Sequence, residues 1–155
     1  MKIFRAVLIA FAILGLLSTG LLAAEAKRIA SVAELKGAVE VKADKGKWIP
    51  ATVGMVLSQG DTVRTKAGSL AILNLDGNAQ TAKVEVRENS QLQLAELLEN
   101  KAEARQTTLL DLSIGKILIK AKKLDSQTSK FEVKTPTSIV GVRGTTFSVM
   151  VEAIE

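Results

Sequence analysis

Histidine, cysteine and tyrosine are absent from all 155 residues of the chain. Their absence excludes Ser-His-Asp and Cys-His catalysis, together with metal sites built from thiolates or imidazoles. It also excludes disulfides, so a folded domain has to rely on its hydrophobic core. Among the carboxylates, Asp61, Asp76 and Asp111 belong to no closely spaced set of oxygen ligands, and the first two adjoin glycines as turn residues do. We therefore expect no enzyme, no cofactor and no metal site.

Aromatic residues are also scarce, at 3% of the chain. Proteins that bind single-stranded nucleic acids need exposed aromatic platforms, so we expect no nucleic-acid partner despite a net charge of +5. Charges of both signs are interleaved, which is typical of a solvated surface. One basic cluster stands out, formed by Lys116, Lys120, Lys122 and Lys123. It is either a solvated strand face or a partner-binding site for a polyanionic ligand of the cell envelope.

The N-terminus has the three parts of a secretory signal peptide. Lys2 and Arg5 precede a continuous apolar run over residues 6–17, and small residues follow up to the Ala24-x-Ala26 motif. We predict a signal peptide over residues 1–26 and a single domain over 27–155, located in the periplasm or secreted. Cleavage after Ala24 is an alternative. So is an uncleaved anchor, since residues 6–24 are just long enough to span a bilayer.

From Ile29 onward, short alternating segments are separated by Gly, Asn and Asp turns, which predicts an all-β domain. Apolar pairs recur about every 20 residues, a spacing that fits a solenoid-like stack of sheets or a two-sheet sandwich. Residues 96–106 favour a polar connection with at most a turn or two of helix, because Glu, Ala, Leu, Lys and Arg dominate there. Gly115 is predicted to be a turn between two strands. The predicted core consists of Val39, Val41, Val63, Leu73, Leu75, Val84, Val86, Leu92, Leu94, Leu110, Leu112, Ile114, Phe131, Val133, Val140, Val142, Phe147 and Val149.

The segment 131–151 is the most informative part of the chain. A strand begins at Phe131 and ends before Pro136, which has no amide hydrogen to donate. Val140 and Val142 occupy even positions, whereas Phe147, Val149 and Val151 occupy odd ones. If both sets face the core, the side-chain period slips once between Gly141 and Thr145, and we favour this interpretation. With the slip, Arg143 lies outside or at the rim; without it, Arg143 points inward and must be paired. We predict a structural role for Arg143, bonded to strand-end carbonyls or to a turn aspartate such as Asp61.

Trp48 is the single tryptophan and lies beside Pro50 near a turn. Its side chain either caps one end of the core or forms a platform for a sugar or a protein partner. The core cap is the favoured interpretation.

Two segments resemble the FecR-type domain. One reads GMVLSQGDTVRT and contains Gly60, Asp61 and Arg64; the other reads FEVKTP followed by VGVRGTTFSV, and contains Pro136, Gly141, Arg143, Gly144, Thr145 and Phe147. The resemblance implies an exported all-β domain and assigns these nine residues to structural motifs. In iron-uptake regulators of this kind, the domain relays a signal in the periplasm to an anti-sigma segment.

Only five residues precede the apolar run, so we expect no cytoplasmic anti-sigma segment. The predicted function is therefore a non-catalytic binding or signalling module that acts on a cell-envelope protein. The alternatives are a module that binds glycan or peptidoglycan, with Trp48 at its centre, and a periplasmic sensor in the regulation of iron transport.

Overall fold

The computed structural model describes residues 25–77, 81–123, 128–144 and 146–152. Within these ranges the chain folds into strands without a helix, which confirms the all-β prediction. No helix in the described part of the chain has the length and apolarity to cross a membrane. The predicted signal peptide lies outside the described residues except for Glu25 and Ala26.

The strands follow in chain order as β1 (Ala26–Lys27), β2 (Ala30–Lys36), β3 (Val39–Lys42), β4 (Trp48–Pro50), β5 (Val56–Leu57), β6 (Thr62–Thr65), β7 (Leu70–Leu75), β8 (Ala82–Val86), β9 (Gln91–Asn100), β10 (Arg105–Ala121), β11 (Lys130–Lys134), β12 (Ile139–Gly141) and β13 (Thr146–Val151).

These strands form one curled, mostly antiparallel sheet with the order β4-β3-β6-β9-β10-β8-β7-β2-β5. The N-terminal half of β10 also pairs with β11, which pairs in turn with β12, and the C-terminal half also pairs with β13. A solenoid would stack its coils with parallel strands. Here β10 and β11 form a parallel pair, but all other pairs of described strands are antiparallel. The arrangement is thus nearer to the sandwich alternative, with two halves joined through β10.

Gly115 lies within β10 at the point where that strand passes from one half of the sheet to the other. It was predicted to be a turn, and this prediction is wrong because the strand runs on through it. The backbone has φ +95° there, and a Cβ atom would lie 2.2 Å from Ser90 Oγ. The Ser90 hydroxyl accepts a hydrogen bond from the Lys116 amide at 2.9 Å. Only glycine fits this close approach, so Gly115 is required where β10 passes from one half of the sheet to the other, and the chain does not reverse there.

The core lies on the concave side of the sheet and contains 14 of the 18 side chains predicted for it. Two of the others, Phe147 and Val149, are half-buried and pack against it. Ile114 and Val140 were predicted to be buried, but they are 38% and 39% exposed. Ile114 lies at the register shift of β10, so it leaves the buried face that Leu112 occupies.

Val140 is exposed for a different reason. It lies opposite Val133 in β12, and β12 pairs with β11 alone among the described strands. No further strand in the described ranges covers it.

The segment 96–106 is a β-hairpin, not the predicted polar connection with helical character. β9 runs to Asn100, a turn follows, and β10 starts at Arg105. The register shifts so that Leu94 pairs with Leu110 and Glu96 pairs with Leu109, which leaves Ala95 as an extra residue. Leu97 is completely buried as a result. Burial of Leu97 and cross-strand pairing outweigh the helix propensity of the segment.

Candidate functional site

The described strand edges differ in how well they are protected. Three edge strands are short. β5 has two residues, β12 has three, and β4 has three with a proline at its end. β13 is longer, with six residues, and it has strand partners on one side only within the described ranges. Its sequence TFSVMV contains no charge and no proline. Short length, charge and proline normally protect a sheet edge, so the side of residues 147–151 that faces away from β10 (the β13 edge) is the edge most open to a further strand.

The side chains of β13 alternate strictly. Phe147, Val149 and Val151 are half-buried against the core, whereas Ser148 and Met150 are exposed. This alternation provides an apolar inner face and a mixed outer face next to the free backbone. A strand added here would find both the hydrogen-bonding groups and the side-chain pockets that β-augmentation uses.

A cleft of about 500 Å³ borders the C-terminal end of β13. It lies between the Ile114 bulge, the turn containing Pro136, and Met150. The turn is held by the Thr135 amide, which donates to the Ser138 carbonyl at 2.8 Å. Thus β11 ends before Pro136, as predicted, and this proline lines the cleft. Met150 is 60% exposed and the exposed Lys116 lies opposite it in the register of β10 and β13, so this end of the β13 edge is open and offers both an apolar side chain and a cation.

The opposite end of β13 is surrounded by cations. Lys120 lies beside Thr146 in the register of β10 and β13. Lys122 and Lys123 follow β10 directly, and the Lys123 Cα lies 2.7 Å from where a Cβ on Gly144 would be. All three lysines are exposed, and none of them has an ion pair within the described part of the chain. The fourth member of the predicted basic cluster, Lys116, lies opposite Met150, so the cluster borders β13 at both ends.

Gly144 accounts for the predicted slip in side-chain period. Val142 is buried and Phe147 is half-buried, so apolar residues change from even to odd positions between them. Gly144 has φ +61° and lies against the Lys123 backbone, whereas a Cβ atom on Gly141 would meet no other atom within 4 Å. Thr145 lies outside the described residues. The glycine that the slip requires is Gly144, at the passage from β12 to β13.

Arg143 is exposed at the rim and lines a shallow depression with Glu132. It has no hydrogen bond or ion pair to any described residue. Its predicted partner Asp61 accepts a bond from the Ser58 amide at 2.9 Å within its own turn, next to Gly60. Asp61 is therefore a turn residue, and Arg143 adds to the positive charge near the β13 edge.

Trp48 does not cap the core, which corrects the favoured interpretation. It lies opposite Lys42 in the β3–β4 pair, on the other face from the buried Val41. The guanidinium carbon of Arg64 is 4.1 Å from the ring centroid and the Lys42 Nζ is 5.4 Å from it. The ring is half-buried by these cation–π contacts on the outer face of the sheet.

Arg64 connects this cluster to Glu40. Its Nε and Nη2 donate to one Glu40 carboxylate oxygen at 3.1 and 2.7 Å, and Lys66 Nζ lies 3.6 Å from the same oxygen. The hydrogen bond from Arg64 is the main reason that the pKa of Glu40 is lowered, and the positive charges of Arg64 and Lys66 add to it. Glu40 is thus shared by two cations, and with Lys42 the cluster keeps a net positive charge on the outer face of the sheet.

One arginine that the sequence reasoning missed is buried. The side chain of Arg28 is 5% exposed and forms a bidentate pair with Asp76, in which Nε donates to one carboxylate oxygen at 2.8 Å and Nη2 to the other. It also donates to Thr108 Oγ1 at 3.0 Å and to the Thr107 carbonyl at 3.2 Å. The alternation of buried and exposed residues could have indicated that Arg28 is buried, because Arg28 occupies an even position like the buried Ala30 and Val32. The pair ties the start of β2 to the β7–β8 turn and to β10.

The described residues contain no cluster of acidic, histidine or cysteine side chains that could hold a metal ion. What the molecule offers instead is a curled all-β domain with an open sheet edge that has no charged side chain of its own, a cleft at one end, and lysines of β10 beside both ends.

Comparison with known families agrees with this architecture. The model of the family described as FecR protein matches residues 61–154, more than half of the chain. The chain therefore belongs to the FecR family, which is a regulatory and non-enzymatic family and suggests a sensor role in the regulation of iron transport. The matched range includes the β13 edge, its cleft and the basic cluster. No curated protein and no solved structure matches the chain.

Proposed function

We propose that this chain is an exported, non-catalytic regulatory module that binds a protein of the cell envelope by adding a strand of that partner to the β13 edge. Strand addition needs an extended backbone with free hydrogen-bonding groups and alternating side-chain positions. β13 is extended with alternating side chains, and over residues 147–151 it carries no charge and pairs with a strand on one side only within the described ranges.

The observation that carries this proposal is the contrast between β13 and the other described edges. β4, β5 and β12 have two or three residues each, and β4 ends in Pro50. An edge left long and uncharged is a liability unless it is covered. A partner strand would cover it and would also bury the exposed parts of Phe147, Val149 and Met150.

Binding of glycan or peptidoglycan is the competing function, and it depends on Trp48. A sugar-stacking platform needs an open ring face, whereas Arg64 lies 4.1 Å above the Trp48 ring. This contact favours the protein partner. Substitution Trp48→Ala tests the alternative, because loss of sugar or cell-wall binding by a protein that remains folded would support the glycan.

A photo-crosslinking side chain at Ser148 tests the proposal in living cells. Ser148 is exposed in β13, and Lys45 provides a matched exposed position in the turn before β4. We expect a cross-linked envelope protein from position 148 and none from position 45, as identified by mass spectrometry. Equal products from both positions would contradict the proposal, and so would a product that contains only a second copy of this chain.

A further inference from the structure

The concave side of the sheet is open along one side of β10. On this side, β11 and β12 extend one half of the sheet and β13 extends the other. The turn between β11 and β12 and the end of β13 line the same cleft, so the two edges lie close to each other there. Among the described strands none lies beyond either edge, so the apolar side chains of the concave side are incompletely covered at this place.

The side chains at these two edges show what is missing. Val140 of β12 lies opposite the buried Val133, so it faces the concave side, yet it is 39% exposed. In β13, Phe147, Val149 and Val151 pack against the core and are only half-buried. A further strand would remove more of this apolar surface from water, which is favourable in proportion to its area.

Resting on the proposed function, we propose that the partner strand completes the hydrophobic core, with apolar residues at its inward positions and a bulky one among them in the cleft at the end of β13. Residues that lie directly opposite each other in paired strands share a face of the sheet. The partner residues opposite Val149 and Val151 therefore face the concave side and adjoin the cleft, which both valines line. The alternate residues, opposite Ser148 and Met150, face outward.

The chemistry of the cleft suits an apolar side chain. Ile114 and Pro136 lie on its walls, and its volume of about 500 Å³ leaves room for an aromatic ring. The hydroxyl groups of Thr135 and Ser138 lie 3.0 Å apart and hydrogen-bond each other, so they need no polar partner from a ligand. Glu152 is the charged residue among those that line the cleft, and its carboxylate repels an acidic side chain.

The outer face of β13 sets a weaker requirement. Ser148 lies opposite Leu118, and Met150 lies opposite the exposed Lys116. Both β13 residues are exposed, so the outward positions of an added strand stay in contact with water and accept polar residues. The selection of the partner therefore depends on its inward positions.

Fluorescence anisotropy with the purified exported protein and labelled synthetic peptides tests this inference. The test peptide has eight residues in which threonine alternates with valine, and phenylalanine replaces one central valine. A strand of this pattern keeps its faces when it shifts along β13 by two residues, so its phenylalanine can reach the cleft.

Four comparison peptides isolate the features of the test peptide. Two of them carry alanine or lysine in place of the phenylalanine. In the third, the phenylalanine and a neighbouring threonine exchange places, which moves the ring to the opposite face at the same composition. The fourth keeps all side chains but is N-methylated at its backbone amides, which removes the donors that strand addition needs.

We expect the phenylalanine peptide to bind about 10-fold more tightly than the alanine peptide, because only its complex removes a large apolar side chain from water. The exchanged peptide should bind like the alanine peptide, since its ring faces outward. The lysine peptide should bind no better than the alanine peptide, and the N-methylated peptide should not bind.

Variants of the protein locate the bulky side chain. Ile114→Ala removes part of the cleft wall and should weaken the phenylalanine peptide about 3-fold or more, with little effect on the alanine peptide. Ile49→Ala makes the same substitution at another exposed isoleucine, in β4, and should change neither. Thr137→Trp narrows the cleft from its exposed turn without altering β10, and should also weaken the phenylalanine peptide. Far-ultraviolet circular dichroism shows that each variant is folded.

The two levels of the proposal fail in different ways. Equal binding of the phenylalanine, alanine and exchanged peptides, abolished by N-methylation, would overturn the bulky inward residue but keep strand addition. Tightest binding of the lysine peptide would overturn the apolar occupant, and equal effects of Ile114→Ala and Ile49→Ala would overturn its place in the cleft. Equal binding of the normal and N-methylated peptides would overturn strand addition itself. If no peptide bound at millimolar concentration, the core-completing partner would be overturned, and cross-linking at position 148 would decide on strand addition.

Discussion

Substitution Arg28→Ala removes the cation from the buried pair with Asp76. The carboxylate of Asp76 then loses two charge-assisted hydrogen bonds, and Thr108 Oγ1 and the Thr107 carbonyl lose their donor. Removing one partner of a buried ion pair costs about 3–5 kcal/mol. The Asp76 side chain retains 18% exposure and can recover some hydration, so we expect the lower end, about 3 kcal/mol.

Urea unfolding at neutral pH measures this loss. With a slope of about 1–3 kcal/mol per molar urea, the midpoint should fall by about 1 M or more. Arg143→Ala is the matched control, and as an exposed side chain it should change stability by less than about 0.5 kcal/mol. In the Arg28→Ala background, Asp76→Asn should cost little, because the carboxylate has already lost its partner.

The reasoning would be refuted if Arg28→Ala cost no more than Arg143→Ala, or if the effects of Arg28→Ala and Asp76→Asn were simply additive. Additivity would mean that the two side chains contribute independently, and the bidentate pair would then not be what stabilises this junction of β2, β7 and β10.

Three further predictions follow from local geometry. In Arg64→Ala, the pKa of Glu40 should rise toward its ordinary value, as measured by NMR titration. Because the folded-state pKa of Glu40 is lowered in the wild type, the stabilisation that its interaction with Arg64 provides is present above the unfolded-state pKa of Glu40. It is lost as the pH falls through the folded-state pKa. A wild-type titration of Glu40 identical to that of the variant would contradict this prediction. Gly115→Ala should destabilise the folded domain by well over about 1 kcal/mol, and by more than Gly68→Ala. Both glycines have positive φ, but only an alanine at position 115 collides with Ser90. Equal losses of stability in urea unfolding would show that the clash is relieved. Intact mass of the exported protein should show a new N-terminus at Lys27, or at Glu25 by the alternative cleavage, and a species in the membrane fraction that retains residues 1–24 would contradict cleavage.

The choice between these two termini has a structural consequence. Ala26 pairs with Glu99 through β1, and Glu25 forms an ion pair with Arg105 at 2.9 Å. A chain that begins at Lys27 loses both contacts. The ion pair is exposed and contributes at most about 1 kcal/mol, so the shorter chain should still fold.

Much of the candidate site was recognisable in the sequence. Period-two alternation identified the strand at Phe147 and Val149, the lysine cluster was visible as a charge run, and the change of parity predicted the slip that Gly144 makes. What the alternation could not reveal was that β13 is an edge. Whether a strand lies at the edge or in the centre of a sheet depends on which strands pair with it. β13 pairs with β10, whose paired residues lie about 30 positions earlier in the chain, so neighbouring residues carry no signal of this position.

The sequence by itself determined the elements that depend on neighbouring residues. Alternation, turn glycines and Pro136 are short-range signals, and they identified most strands, most of the core and the all-β class. The tertiary structure decided the rest, because it depends on contacts between distant residues. Cross-strand pairing turned residues 96–106 into a hairpin, the close approach of Ser90 requires a glycine at position 115 within a continuous strand, and Asp76 gave the buried Arg28 its partner. Trp48 lies on the outer face because it pairs in register with Lys42, and Arg64, 16 residues away, contacts its ring there.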